Sequence, residues 1–505
     1  MRNASHRVFV GATLVATAAS MLFAYTYMMG RFSGLLFPTI FVFMATTTAD
    51  TSWGQWYPPT ATWINNITRI LSDDGVHGFI FNGSKLPDGV EFGRYNWCNM
   101  PHVHPQTYIV PPAAFELVYV EVIQRHHKRT PYQDNIFPVE TYPWDCSDQG
   151  LYTYGEPLAA GSNSATRVYW KIEDNPVNPF IAPGFRGSCQ FPQITHGGLD
   201  DSWQHGRDLY EVYGAMLKFL PPKYDSTVSY RVTGNQITSQ VAGMLVGGMF
   251  GSTHPNSVPL SIQPGLIDSL QPSYSCPEAS RLYREYGVGS MNPKWRLHLD
   301  KTKEFLRTLD LISGVSAENK GFHESFDHYY DNLSARLCHQ KPLPCSVKNA
   351  SHCVTQHQAN TVFRMGQYEY SYIYRDLPQS LEAAAGSFGV WVAELASNIR
   401  TSVSRKGSVK YRHNIAHDGS ISRLLSILQL DMMVWPGMGA EVVFEVYQDK
   451  KKGDFFVRVL WGGRVLKSSH PSLGEIDMLE LEVFLGYIEG LVGRRAERIL
   501  TYCAR

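Results

Sequence analysis

Arg125-His126-His127-Lys128-Arg129-Thr130-Pro131 sets two guanidinium groups on either side of an imidazole. A phosphate monoester is a dianion. Arginine binds its oxygens in bidentate fashion and spreads the charge that develops as the phosphoryl group moves. The histidine between the arginines supplies a nitrogen able to attack phosphorus. The alternative for RHxxRxP is a basic surface loop with a solvated histidine. Two further segments bring polar groups of the same kind, Arg231-Val232-Thr233 and His417-Asp418. Taken alone, Arg231 is also compatible with an exposed strand residue, and Asp418 with the cap of a following helix, a position that favours aspartate.

The elements around these residues decide between the readings. Phe115 to Ile123 alternates and is β-branched, which predicts a strand that runs into the RHHKRTP segment. Thr227 to Thr233 predicts a second strand, followed by Gly234 and a helix over 237–249. Val409 to Ala416 predicts a third, followed by His417-Asp418-Gly419 and a helix over 421–428. Polar residues at the carboxyl ends of three strands form the pattern of an open α/β sheet whose site lies beyond the strand ends. Val442 to Tyr447 and Phe455 to Leu460 predict a hairpin, its lysine run 450–452 being a solvated turn. Residues 275–405 read as an inserted helical subdomain: Leu299, Thr302, Leu306, Leu309 and Ile312 share one face, as do Phe388, Trp391, Val392 and Leu395. The α/β core is then 111–274 with 406–505, behind an irregular lead-in over 50–110 and an N-terminal segment 1–49.

On these residues the chain resembles the clade-2 histidine phosphatases, whose signature is RHGxRxP; the resemblance covers about residues 95–495. Arg231-Val232-Thr233 is similar to an R-x-[ST] motif of that family, Ala416-His417-Asp418-Gly419 to its His-Asp pair, and Trp435 to Tyr447 to the segment downstream of that pair. Tyr95 to Pro101 together with RHHKRTPY resembles a fungal subgroup. The resemblance implies a phosphoglycerate-mutase-like open sheet flanked by helices. It also implies hydrolysis of small-molecule or sugar phosphomonoesters without metal or cofactor. By it His126 is the nucleophile, Asp418 the proton donor, and Arg125, Arg129, Arg231 and His417 the phosphate ligands. Two departures stand out. His127 occupies the place of a glycine, putting an imidazole where close backbone approach is expected. A further arginine of the family, a few residues past Arg231, is absent, with Gln236 and Ile237 there, so a weaker hold on phosphate is expected. The rival readings are a phosphomutase, whose RHGxxxxN pattern does not match, and a catalytically inactive phosphate-binding relative.

Composition narrows the setting. Lys plus Arg and Asp plus Glu both number 45 in 505 residues, so no global field favours nucleic acid, and any anion site must be local. Val8 to Met29 carries no charge, Arg31 interrupts, and Phe32 to Ala45 is apolar again before Asp50. This layout predicts a signal anchor or a cleavable signal peptide and an exported catalytic domain, secreted or membrane-anchored. Eight cysteines without a CxxC pair favour disulfides, with at least one of Cys338, Cys345 and Cys353 pairing locally or with a nearby loop. Sequons at Asn66, Asn82, Asn332 and Asn349 agree with export. His102, His104, His196 and His205 lack ligand-like spacing and read as polar or core histidines. Lys128 is open to two readings, a solvated lysine or a contact to a remote substrate phosphate.

Overall fold

A computed structural model describes residues 54–505 apart from 62, 74, 76–82, 140–142, 147–151, 154–166, 169–172, 174, 176, 182–185 and 252–256. The apolar N-terminal segment and the Asn82 sequon lie outside the described residues. No helix among the described residues is long and apolar enough to cross a membrane.

Eight strands build one mixed sheet: β1 (Phe115–Arg125), β2 (Val228–Val232), β3 (Leu260–Ser261), β4 (Tyr411–Ala416), β5 (Glu441–Asp449), β6 (Phe455–Trp461), β7 (Arg464–Val465) and β8 (Leu479–Glu480). Their order is β8-β6-β5-β1-β4-β2-β3, with β7 on β6. β1, β4, β2 and β3 run parallel, while β5 and β6 form the expected antiparallel hairpin. Its turn is held by Asp449, whose Oδ1 accepts from the N–H groups of Lys451 and Lys452.

β1 is central, between parallel β4 and antiparallel β5, and it sends buried apolar side chains to both faces of the sheet. Val120 and Val122 pack with α1 (His196–Tyr210) and α2 (Gln236–Phe250), through Leu209, Val241 and Leu245. Tyr119 and Ile123 face the opposite layer. Between 277 and 403 the regular elements are all helical, among them α3 (Asp327–Cys338), α4 (Gln356–Tyr374) and α5 (Pro378–Val403). α5 lies across the sheet with α6 (Asp418–Ile427) and α7 (Leu481–Val492), burying Phe388, Trp391 and Leu395. Phe388→Ala would cost about 3–5 kcal/mol in such a site. The face drawn through Leu299, Thr302 and Leu306 belongs to two helices, because the backbone leaves helical geometry at Thr302 (φ −107°, ψ 8°). Both still bury leucines in one cluster.

The eight cysteines form four disulfides, Cys98–Cys338, Cys146–Cys189, Cys276–Cys503 and Cys345–Cys353. Bonds of this kind form in an oxidising compartment, which places the chain in the secretory pathway. Cys345–Cys353 is the local pair. Two of the others span 240 and 227 residues, and closing loops that long stabilises a fold by roughly 5 kcal/mol each in the chain-entropy account. One sequon needs correction. Asn332 is fully buried in α3, donating from Nδ2 to the Asn135 carbonyl (2.8 Å) and accepting from Arg336 Nε (2.9 Å), so it offers no glycan acceptor in the folded chain. Asn66 and Asn349 are exposed.

Candidate active site

The parallel register of β1 and β4 pairs Arg125 with Ala416, so both strands end at one level and the next residues, His126 and His417, emerge side by side. Their ring centroids are 5.5 Å apart. The backbone fixes this level. His126 N–H donates to Ala416 O (3.1 Å), Arg125 N–H to Ala440 O (2.8 Å), and Gly439 N–H to His126 O (3.0 Å). β2 lies on the other side of β4, and Thr233, just past its end, meets His417 Nε2 through Oγ1 at 3.0 Å.

Protons on His126 follow from its neighbours. Nδ1 lies 2.9 Å from the His127 carbonyl oxygen, an atom that only accepts, so Nδ1 carries the hydrogen and Nε2 keeps its lone pair. Burial, together with the charges of Arg125, Arg129 and His417, holds the imidazole well below its ordinary pKa and therefore neutral. His417 is lowered to about 4 by burial, with the two arginines adding to the effect and Asp418 opposing it.

The guanidinium groups are held from behind. Arg125 Nη2 is 2.9 Å from Asp418 Oδ2, its Nη1 donates to Pro436 O at 2.6 Å, and its plane lies 4.7 Å over the Trp97 ring. Arg129 Nη1 is 3.0 Å from Asp331 Oδ1, and the group lies 4.1 Å over Tyr132. Both Nε–H groups are buried without a partner among the described residues. An anion in front of them would supply what each lacks. Asp418 is drawn two ways: burial raises its pKa, but Arg125, the indole N–H of Trp435 (2.8 Å to Oδ2), Arg129 and His417 outweigh it and hold the carboxyl below its usual range.

Five of the six residues singled out in the sequence therefore converge: His126, Arg125, Arg129, His417 and Asp418. Arg231 does not. It sits two residues before Thr233 with its side chain against α5, where Nη1 meets Glu394 Oε2 (2.7 Å) and Nη2 meets Gln263 Oε1 (2.7 Å), Asp268 Oδ1 (3.1 Å) and Ser269 Oγ (2.9 Å). Two carboxylates fix it in a separate polar cavity shared with Glu121, Arg412 and Asn414. Lys128 is not a solvated lysine, since its ammonium is buried 3.1 Å from Asp201 and also meets Ser84 Oγ. The His127 ring does not stand in the path of a ligand backbone contact; it is buried behind the loop. Sequence reasoning missed three contributors: Thr233, Trp435 and Asp331. The first two stand inside stretches that carry the family resemblance. Asp331 carried no signal, because its partner Arg129 lies 202 residues away.

Residues 116–461 match the histidine phosphatase superfamily (branch 2), and the chain belongs to it. It is a phosphoric monoester hydrolase. Among its relatives, Counting factor 60 of Dictyostelium discoideum is 23% identical over 380 residues, 73% of this chain and 84% of that protein. Human 2-phosphoxylose phosphatase 1 is 23% identical over 374 residues, 73% of this chain and 75% of that one. The bovine lysophosphatidic acid phosphatase type 6 is 21% identical over 362 residues, covering 69% and 78%. Among solved structures, a Hafnia alvei phytase bound to tartrate superposes with a TM-score of 0.49 at 12% identity, covering 76% of this chain and 99% of that one.

Proposed function

We propose that the chain hydrolyses phosphate monoesters through a phosphohistidine on His126. The observation that carries this reading is the neutral imidazole with Nδ1–H bonded to its own loop and Nε2 unprotonated between two arginines. Nε2 attacks phosphorus, the N–P bond forms as the P–O bond to the alcohol breaks, and the departing alkoxide takes the proton of Asp418. Water then attacks phosphorus on the phosphoenzyme, gives a proton to the Asp418 carboxylate, and His126 leaves with its electron pair restored. Arg125, Arg129 and His417 neutralise the phosphoryl oxygens throughout. Arg231 has no part in this cradle.

The step favours turnover at acid pH. In the free protein Asp418 is held ionised by Arg125 and Trp435. A phosphate dianion arriving at the same guanidinium groups opposes that charge and favours the protonated carboxyl, and low pH does the same. Relatives named as 2-phosphoxylose and lysophosphatidic acid phosphatases support small phosphomonoesters as substrates. The N-terminal segment, cleaved or retained as an anchor, delivers the catalytic domain outside the cytosol with glycans at Asn66 and Asn349. Rapid quenching of the enzyme with [32P]phosphomonoester into alkali, which preserves phosphohistidine, tests the reading. The label is expected on wild type and absent from His126→Ala; turnover without label on His126 overturns it.

A further inference from the structure

Behind the nucleophile lies a row of buried groups that the reaction does not touch. The His127 ring is fully buried, as are His205 on α1 and Glu441, the first residue of β5. His127 Nε2 is 3.2 Å from His205 Nδ1, and His205 Nε2 is 3.0 Å from Glu441 Oε2. The second carboxyl oxygen of Glu441 accepts the Val103 N–H at 2.7 Å. Space for the ring is made by Gly439, where an added Cβ would stand 2.3 Å from His127 Cε1. The same Gly439 donates its N–H to His126 O.

Acceptor and donor roles along this row have one consistent assignment. A carboxylate only accepts, so His205 carries its hydrogen on Nε2 and presents a bare Nδ1. His127 must then donate from Nε2. The charged and titratable groups facing the pair agree with neutral rings. Burial lowers the pKa of His127, as do His205, His102, Lys128 and His413, and burial likewise lowers that of His205, with His102 adding to the effect against Glu441. His102, paired with Asp208 at 2.8 Å and stacked 4.0 Å from the His205 ring, has its pKa raised, Asp208 and Glu441 outweighing its burial.

We infer that His127 is a positioning residue for the nucleophile: through His205 and Glu441 its side chain anchors the peptide whose carbonyl holds His126 Nδ1–H. That carbonyl fixes both the tautomer and the ring angle of His126, and it belongs to the same residue as the anchored ring. Where a glycine stands, a loop has no such tether; here the tether ties the turn to α1 and to the start of β5. Misaiming an attacking nitrogen slows the chemical step, whereas phosphate affinity rests on Arg125, Arg129 and His417 and stays.

The inference rests on the phosphohistidine reading, and the experiment separates the two. p-Nitrophenyl phosphate turnover is measured for wild type, His126→Ala, His127→Leu and His127→Gln. Leucine fills space without a donor; glutamine places an amide N–H near the lost Nε2–H. Expected for His127→Leu is a fall of about 10–10²-fold in kcat with KM within about threefold, and for His127→Gln recovery to within about threefold of wild type. If His127→Leu does not accumulate as folded protein, His127→Asn, whose amide is too short to reach His205, is compared with His127→Gln in its place. Unchanged kcat in the donorless variant, a glutamine variant no better than it, or a change in KM rather than kcat overturns the positioning role while wild type remains active and His126→Ala inactive. An inactive wild type, or an active His126→Ala, overturns instead the phosphohistidine reading on which it stands.

Discussion

Arg125 and Arg231 project from two strands of one sheet with a single strand between them, both against carboxylates, and only one of them can serve an anion. Arg125 has one carboxylate oxygen, Asp418 Oδ2, and one carbonyl behind it. Arg231 has two carboxylates, Glu394 and Asp268, with an amide and a hydroxyl. With Arg412 and Glu121 in the same cavity, three carboxylates face two guanidinium groups, a negative surplus that repels a phosphate dianion. One cation against one anion, the anion being a group that takes up a proton in the reaction, gives a site that becomes positive when substrate needs it. An arginine's worth to a phosphate is set less by its distance from the strand end than by the charge its neighbours have already claimed.

Four substitutions sharpen or break that comparison. Removing the nucleophile has the largest effect: His126→Ala should lower kcat by more than about 10⁴-fold on p-nitrophenyl phosphate with the circular-dichroism spectrum unchanged, since no other described group can form the phosphoenzyme. Next is Arg129→Ala, expected to reduce kcat/KM by roughly 10²–10³-fold, while Arg231→Ala leaves it within about threefold and instead lowers the melting temperature. The Arg231 side chain is 17% exposed, and stranding Glu394 and Asp268 without it should destabilise by about 1–3 kcal/mol. Equal kinetic losses for the two arginines would end the distinction. Asp418→Asn should slow glycerol phosphate hydrolysis by roughly 10²-fold and p-nitrophenyl phosphate distinctly less, because an alkoxide needs a proton to leave and a nitrophenolate does not. A helix cap alone would slow both equally and cost about 1 kcal/mol of stability.

How much of this was legible in the sequence depends on the range over which each signal acts. β1, β2, β4 and the hairpin were readable because alternation and β-branching are local, and the strand ends placed RHHKRTP, Thr233 and His417-Asp418 at one rim. Arg231 was misplaced because strand position says which face a side chain takes but not which carboxylates wait there, and those came from Asp268 and from α5. The break at Thr302 escaped a face-counting argument that does not see the hydroxyl, here bonded to His298 O at 2.7 Å. Asn332 passed as a sequon because burial of an asparagine by a neighbour nearly 200 residues distant leaves no trace in three letters. The fate of His127 was hidden for the same reason: its cavity is made by Gly439 and His205.

Acid acts on the site and on a region away from it by one physical route. His417 in the site and His339 beside Trp144 are both lowered to about 4, in each case first by burial. A folded-state pKa below the unfolded value near 6.5 means that the unfolded chain binds the proton more readily. Stability from these groups is therefore complete above about pH 6.5 and is lost as pH falls through the window down to about 4. Both side chains are partly exposed, so the loss should be about 1–3 kcal/mol in total. Urea midpoints measured from pH 7 to pH 4 should fall, and inorganic phosphate should oppose the part due to His417, since a bound dianion favours its charged form. A midpoint independent of pH over that window would contradict the neutral assignment of the two rings.

The smallest effect tests a hydroxyl at the edge of the site. Thr233 stands where β2 ends, and its Oγ1 meets His417 Nε2 at 3.0 Å and Thr238 Oγ1 at 3.2 Å. Thr238 donates to the Asn235 carbonyl at 2.7 Å, so its oxygen is left as an acceptor, and the Thr233 hydroxyl links the start of α2 to the imidazole. Thr233→Val keeps nearly the same volume and removes only the hydroxyl. No arginine moves and the nucleophile keeps its carbonyl, so kcat should stay within about twofold. His417, released from its one described side-chain partner, holds phosphate less well, and a net hydrogen bond of about 1 kcal/mol corresponds to a rise of roughly fivefold in KM and in the inhibition constant of inorganic phosphate. The same substitution gives a reading on Arg231. If the β2 end served phosphate through Arg231, two residues before Thr233, loosening it would lower kcat/KM by as much as Arg231→Ala does. If it serves through His417, Thr233→Val changes phosphate affinity and Arg231→Ala does not.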